Sequence, residues 1–394
     1  MSDSSEVMAP PTPGDEPVYS PAAPAHPAWP EPDAPALEFS GSGAEYFRIW
    51  IVNLLLTVAT LGIYSAWAKT RRLQYFYRNT RLAGASFDFH GDPKAILRGR
   101  ILAALVAVAY HYAFGFSLNA GIAVVAVLVA GMPWMMRAAL RFRLSNTSYR
   151  GLPFGFSGGL GKAYAVYLLP LALLVLPATM VALAPQSKLA GLAFLLYLLW
   201  PFMHGAMKAY QHRHLMYGDQ NAAFPLSAAR LAKPYLLVVA IFVGAIVAMV
   251  AVGLGAAMLA KGSAPSSKAG MWAAISIGSG ALLSYLALLI GGLVVHVRMN
   301  NLAWSATAFP GVRIVCDIKA RSYLRLQVVN VILILLTLGL FRPFAAVRTW
   351  RYRVAHLHVH APGGFEQATL HAARRSRSAA GDGFADFLGV DLSW

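Results

Sequence analysis

Between Ile49 and Ala68 the chain runs IWIVNLLLTVATLGIYSAWA. A stretch of about twenty mostly apolar residues without a charge suits a bilayer better than a water-facing surface. Lys69, Arg71 and Arg72 follow, then the aromatic run Tyr75-Phe76-Tyr77 and the turn-rich NTRLAGASFDFHG. This order of apolar span, basic and aromatic collar and short alternating segment recurs along the chain. Seven further apolar segments, at 101–117, 118–136, 164–184, 189–207, 235–260, 271–295 and 324–341, are each long enough to cross a membrane as a helix. Short links at 117–121 and 185–188 join the second span to the third and the fourth to the fifth as helical hairpins. The expected fold is an all-α multi-pass membrane protein with about eight hydrophobic spans and small cytoplasmic β-hairpins between them.

The hairpins are read from a recurrence. Asn79-Thr80, Gly84, Phe87, Phe89 and Gly91 return 67 residues later as Asn146-Thr147, Gly151, Phe154, Phe156 and Gly158. Alternation in FDFHG and FGFSG puts both Phe side chains on one strand face, and Ala83-Gly84 and Arg150-Gly151 supply turn residues. Leu37–Gly41 is a third, partial copy. Tyr46, Arg48, Asn53 and Thr60-Leu61-Gly62 reappear 277 residues on as Tyr323, Arg325, Asn330 and Thr337-Leu338-Gly339. The first and last spans are therefore related, and each is basic at both ends. Two arrangements remain open for them: plain crossings, or re-entrant segments broken at the TLG sites.

Hydrophobic residues make up 58% of the 394 positions and charged residues 12%, with a mean hydropathy of +0.55. A water-soluble domain of this length would not tolerate that balance. The formal charge of +17 understates the basicity of the membrane part, because eight of the sixteen carboxylates precede Tyr46 and four lie at or beyond Glu366. From Tyr46 to Phe365 thirty Lys and Arg face only Asp88, Asp92, Asp219 and Asp317. Loops rich in Lys and Arg stay on the cytoplasmic side, which places the hairpin-bearing links there. Residues 1–36, rich in Pro and acid and without a secretory signal pattern, are expected to be a disordered tail. The membrane domain is expected over 37–360 and a flexible C-terminal tail over 361–394. A single cysteine, Cys316, rules out an intrachain disulfide and a Cys-cluster metal site.

EYFRIWIVNLLLTVATLGIYSAWAKTRRLQYFYRNT, with the later NTSYRG and the closing TLGLF, resembles the YjgN family of bacterial inner-membrane proteins, a domain family of unknown function. The likeness runs from about Leu37 to His360. It implies a multi-pass protein of the inner membrane and supplies no catalytic residue, cofactor or substrate. QNAAFPLSAARL in the third basic link departs from the NT and FxF pattern, which leaves a hairpin there in doubt.

No nucleophile and base arrangement, Walker loop or dinucleotide fingerprint is present, so no enzyme is expected, and no cofactor. GGLGKA at 158–163 lacks the phosphate-loop spacing and reads as a glycine turn. His356, His358 and His360 alternate, so a strand would bring three imidazoles to one face, as a zinc or copper site or as a plain solvated strand. The polar groups within the spans are Asn53, Thr57, Thr60, Asn330, Thr337, Ser276 and Ser279, with His111 and His204. They serve either as hydrogen bonds between helices or as the lining of a solute path. No Asp or Glu falls in a span, so a carboxylate-based proton or Na⁺ couple has no parts. The collars Lys69, Arg71, Arg72 and Arg137, Arg141, Arg143 are expected to hold anionic lipid headgroups. Nucleic acid is not expected as a partner, while a homo-oligomer or a membrane-protein partner stays open. Two functions remain: a transporter- or channel-like protein for an anionic or neutral solute, and a non-transporting scaffold or envelope factor that binds anionic lipid or a partner.

Overall fold

The first apolar span is a helical hairpin. In the computed structural model, which describes residues 37–184, 186–187, 192–260, 267–366 and 369, helix α1 covers Gly43–Ala59 and α2 covers Ser65–Arg78. Helix α1 starts on an N-cap, with the Ser42 hydroxyl accepting from the Glu45 amide at 3.2 Å. It stops where Gly62 N–H reaches back to Thr57 O at 2.8 Å and Leu61 N–H to Val58 O at 3.1 Å. That pair of bonds is the left-handed helix ending that needs positive φ. Leu61 and Gly62 supply it, with φ of 50° and 93°. The Thr60 hydroxyl donates to Leu56 O and accepts from the Tyr64 amide, so the chain turns through a closed set of hydrogen bonds. It then returns antiparallel, and the Tyr46 ring stacks on Tyr75 at 5.2 Å.

The last span does the same. Helices α10 (Ala320–Leu336) and α11 (Arg342–Ala355), counted in chain order, flank a tip where Leu338 and Gly339 take φ of 49° and 94°. Tyr323 meets Tyr352 at 5.9 Å, and Asn330 Nδ2 donates to the Thr349 hydroxyl at 3.2 Å. Both tips present a bare leucine, Leu61 and Leu338 each being 95% exposed. Each arm has 17 residues or fewer. At 1.5 Å per residue that is about 25 Å, short of a ~30 Å hydrocarbon core. The first and last apolar spans are therefore helical hairpins broken at the TLG sites, each with both of its ends on one side.

Between them lie longer pairs: α3 (Pro93–Phe116) with α4 (Leu118–Ser145); α5 (Leu160–Leu183) with a 3-10 turn (Ala193–Leu199) and α6 (Trp200–Arg213); α8 (Pro234–Ala260) with α9 (Ser267–Ser305). A short α7 (Ala228–Ala232) precedes α8. Among the described residues four helical stretches are long and apolar enough to cross a membrane, at Pro93–Phe116, Leu118–Ser145, Leu160–Val181 and Tyr285–Ser305. Much of their surface is bare leucine, valine and aromatic side chain, Val127 at 72% and Tyr112 at 70% among them. In water such a surface would drive aggregation; against acyl chains it costs nothing.

Each second helix of a pair runs into a β-strand. Strand β1 (Glu38–Phe39) pairs with β2 (Thr80–Leu82), β3 (Ala85–Phe89) with β4 (Thr147–Tyr149), and β5 (Leu152–Phe156) with β6 (Leu215–Tyr217), whose own hairpin partner is β7 (Gln220–Asn221). A second sheet runs β8 (Ala308–Phe309), β9 (Val312–Cys316), β10 (Leu357–His360). The Ala223 and Ala308 backbones join the two sheets by reciprocal bonds of 2.7 and 3.1 Å. The hairpin turns 83–84 and 150–151 have both central residues at positive φ, the primed geometry that matches strand twist. The third basic link does form a hairpin, β6 and β7, although its sequence departs from the other two. Backbone pairing across β5 and β6 carries it, and backbone bonds need no particular side chain.

Leu37, Leu82, Tyr149, Tyr217, Val354 and Val359 form one buried cluster at the centre of the strands. Leu37 adjoins β1 and Val359 lies on β10, so the strand array curves back on itself around this cluster. The Tyr149 hydroxyl donates to Leu82 O at 2.8 Å, and the Tyr217 hydroxyl to Tyr149 O at 3.1 Å, so each hairpin is tied to the one before it. Burial raises both phenols above their ordinary pKa, which keeps them as donors. The tails expected at 1–36 and 361–394 lie outside the described residues, except for 361–366 and 369.

Candidate functional site

A cavity of about 460 Å³ lies inside this cluster, at the sheet end of the helix pairs. All five second helices reach it: Tyr77 from α2, Arg143 from α4, Lys208 from α6, Trp304 from α9 and Arg353 from α11. Strand residues such as Phe87, Phe154 and Val312 close the other side. Most of the wall is apolar or aromatic. None of the described residues lining it is Asp or Glu, whereas three are Arg or Lys.

Hydrogen bonds place the polar groups. Arg353 donates from Nε and Nη2 to the Tyr323 hydroxyl, at 3.2 and 2.6 Å, and its guanidinium lies 5.5 Å from that ring. Its Nη2 is also 3.4 Å from His296 Nε2. Arg143 Nη2 reaches the Tyr77 hydroxyl at 3.3 Å. Gln211 Nε2 donates to the Tyr167 hydroxyl at 3.1 Å. The Thr307 hydroxyl donates to Ala303 O at 2.7 Å, so the 2.9 Å contact with His212 uses the Nδ1 proton of the imidazole. Arg143 and Arg353 thus bond to phenol hydroxyls, and together with Lys208 they set positive charge into a mostly apolar wall.

Cys316 also faces the cavity, with its thiol donating to Asn301 Oδ1 at 3.2 Å. Burial pushes this thiol up to about 11. A raised pKa leaves less thiolate at neutral pH, and thiolate is the reactive form, so alkylation is expected to be roughly a hundredfold slower than for an exposed cysteine. Maleimide labelling between pH 7 and 10 should rise about tenfold per pH unit. A rate flat with pH would contradict this environment.

The sequence candidates fall elsewhere for the most part. Thr60 and Thr337 shape the hairpin tips, each hydroxyl bonding the carbonyl four residues back and the amide four residues on. The Thr57 hydroxyl donates to Asn53 O at 2.6 Å. Asn53 and Asn330 are buried at matching places in α1 and α10. His111 is exposed on α3, beside Tyr112. Nδ1 of His204 lies 2.7 Å from the Tyr235 hydroxyl, a bond between α6 and α8.

Of the collar residues, Arg71 and Arg72 are exposed and Lys69 is half-buried. Arg71 sits over the Tyr64 ring at 5.7 Å, as Arg348 sits over Phe341 at 5.9 Å. Arg137 Nε donates to Gly158 O at 2.6 Å, and Arg141 is half-buried beside it on α4. Arg143 alone of the six turns into the cavity.

His356 does not join the strand β10 that carries His358 and His360. His356 ends α11, its Nδ1 bonded to Tyr352 O at 2.8 Å, while His358 faces Asp317 at 3.7 Å. Among the described residues no group of three His, Cys, Asp or Glu is placed to hold a metal.

Sequence reading missed Lys208, Gln211, His212, Trp304 and Arg353 as one site. A signal was present in the helix ends. Asn146 and His214 follow α4 and α6 as His356 follows α11, each side chain bonding the carbonyl four residues back. The residues two and three places before each, Arg143 with Leu144, Gln211 with His212 and Arg353 with Val354, all line the cavity.

The family described as "Bacterial protein of unknown function (DUF898)" matches residues 34–387. Three curated relatives carry the name "Inner membrane protein YjgN". The protein of Salmonella typhimurium is 31% identical over 147 residues, 35% of this chain and 36% of the relative. That of Escherichia coli O157:H7 is 30% identical over 144 residues, 35% of each chain. The chain thus spans about a third of the length of the curated relatives it matches. No solved structure gives a significant match.

Proposed function

The chain belongs to this family of bacterial proteins of unknown function, and on that premise we propose that it is a multi-pass inner-membrane protein that passes an anionic or neutral solute through its central cavity. The observation that carries the reading is the cavity itself, about 460 Å³ of mostly apolar wall with Arg143, Lys208 and Arg353 set into it from three helices. That volume is within the ordinary range for small-molecule sites. An apolar wall rewards a hydrocarbon body, and the Arg and Lys side chains set into it reward an anionic head. No catalytic step belongs to the proposal.

The sheet end faces the cytoplasm in this reading, because the Lys and Arg of the second helices gather there. Three long helix pairs cross and return, and the end pairs enter and leave one leaflet. In a Cys316→Ala background, cysteines at positions 79 and 146 should resist an impermeant thiol reagent in intact cells. Ready labelling would invert the topology.

A second reading, a scaffold holding anionic lipid, is favoured by a recess outside the first hairpin lined by Arg48, Arg71 and Arg78 beside Ile49 and Val52. Here the collars contribute on the order of 1 kcal/mol per charge at an anionic surface.

Reconstitution separates the two. Transport predicts uptake of decyl sulfate into proteoliposomes, unaffected by a pH or Na⁺ gradient once His111 and His204 are Gln, since no span offers a carboxylate. Retained phosphatidylglycerol with no uptake would select the scaffold.

A further inference from the structure

We propose that the C-terminal segment 381–394 of this chain, GDGFADFLGVDLSW, docks in the central cavity and competes there with the solute. Both the chemistry and the tether point to this occupant. The segment holds Asp382, Asp386 and Asp391 and no Lys or Arg, interleaved with Phe384, Phe387, Leu388, Val390, Leu392 and Trp394. Its acidic and aromatic pattern is complementary to a cavity of aromatic wall and basic side chains that has no carboxylate among its described lining residues. Within the chain beyond residue 366 these three are the only carboxylates, so the tail's negative charge is concentrated in this one apolar stretch.

The described chain also ends at the right place. Phe365 packs against the central cluster, Phe365 and Thr369 both line the cavity, and the Thr369 hydroxyl bonds the Tyr217 phenol. From Thr369 to Gly381 are twelve residues, a reach of up to about 40 Å when extended. The segment is therefore tethered at the mouth of the site, where a short linker gives an effective concentration on the order of millimolar. At that concentration even a weak contact keeps the cavity occupied until a solute or an anionic surface displaces the tail.

The proposal rests on the cavity as the solute site, and its test separates the two ideas. The photoreactive residue p-benzoylphenylalanine is placed at Phe387 in the full chain, purified and illuminated, and the adducts are mapped by peptide mass spectrometry. Adducts are expected on cavity residues of α6, α9 or β9, and to fall at least fivefold when Asp382, Asp386 and Asp391 are all Asn. In parallel, the chain lacking 373–394 should bind decyl sulfate about tenfold more tightly than the full chain, and the triple Asn variant, which keeps the length, should move the same way. Adducts confined to other surfaces, or to a second molecule, would overturn the docking. So would cavity adducts unchanged by the triple substitution, or a gain in affinity produced by removing 1–35 and not by removing 373–394. Cavity adducts without any decyl sulfate binding would retain the tail as occupant and remove the solute.

Discussion

Gly205→Ala is expected to lower the apparent Tm of the purified protein by several degrees, the largest stability effect of a single methyl group among the described glycines. A Cβ at position 205 of α6 would lie 2.5 Å from the carbonyl oxygen of Ala228, and 3.2 and 3.3 Å from its carbonyl carbon and Cα. These are backbone atoms at the start of α7, so no side chain can turn away to make room. The helices must separate, and overpacking of this kind costs about 1–3 kcal/mol. Gly244→Ala on α8 is the control, because nothing lies within 4 Å of its added Cβ. Thermal unfolding in detergent should leave that variant unchanged. Equal melting of both variants would mean that α6 and α7 are not packed as described. Since Gly205 is one turn from Lys208, the damaged variant should also bind solute more weakly.

Replacing Lys208 and Arg353 together by Gln is expected to weaken decyl sulfate binding by at least tenfold while the Tm shifts little. Hydrogen bonds to a charged group are worth about 1.5–3 kcal/mol each, and tenfold is about 1.4 kcal/mol. The amide keeps donors for the Tyr323 hydroxyl, which Arg353 engages in the native protein. Decyltrimethylammonium, with the same hydrocarbon and the opposite charge, should bind the native chain poorly and the double variant better. Isothermal titration in nanodiscs measures both. Loss of affinity for the two amphiphiles alike would point to a damaged apolar wall and would remove the electrostatic argument.

Much of this architecture was legible in the chain. The pair of α3 and α4 was recognisable from the apolar runs 101–117 and 118–136, and the turns at 83–84 and 150–151 from Ala83-Gly84 and Arg150-Gly151. The spacing of 67 residues placed Phe89 and Phe156 at matching points, and the folded protein gives them the same neighbour. A Cβ at Gly91 would strike the Phe89 ring at 2.4 Å, and one at Gly158 the Phe156 ring at 2.4 Å. The spacing of 277 likewise pairs Tyr46 and Tyr75 with Tyr323 and Tyr352, and Arg71 over Tyr64 with Arg348 over Phe341.

The site was less legible. Alternation in HLHVH suggested a common face for three imidazoles, yet His356 belongs to a helix end, where the carbonyl of Tyr352 competes for it. Thr60 and Thr337, read as glue or as the lining of a path, close turns instead. Local hydrogen bonds took these side chains because their partners are four residues away and always within reach.

By itself the sequence determined what is local: where helices begin and break, which turns take positive φ, that the surface is made for lipid and that its flanks are basic. Each of these follows from the chemistry of a few neighbouring residues. Only the tertiary structure decided that the first and last spans turn back, and that Arg143, Lys208 and Arg353 meet. Those residues are separated by 65 and 145 positions. What brings them together is backbone pairing between successive hairpins, a bond that every residue but proline can make and that leaves no mark on side-chain choice.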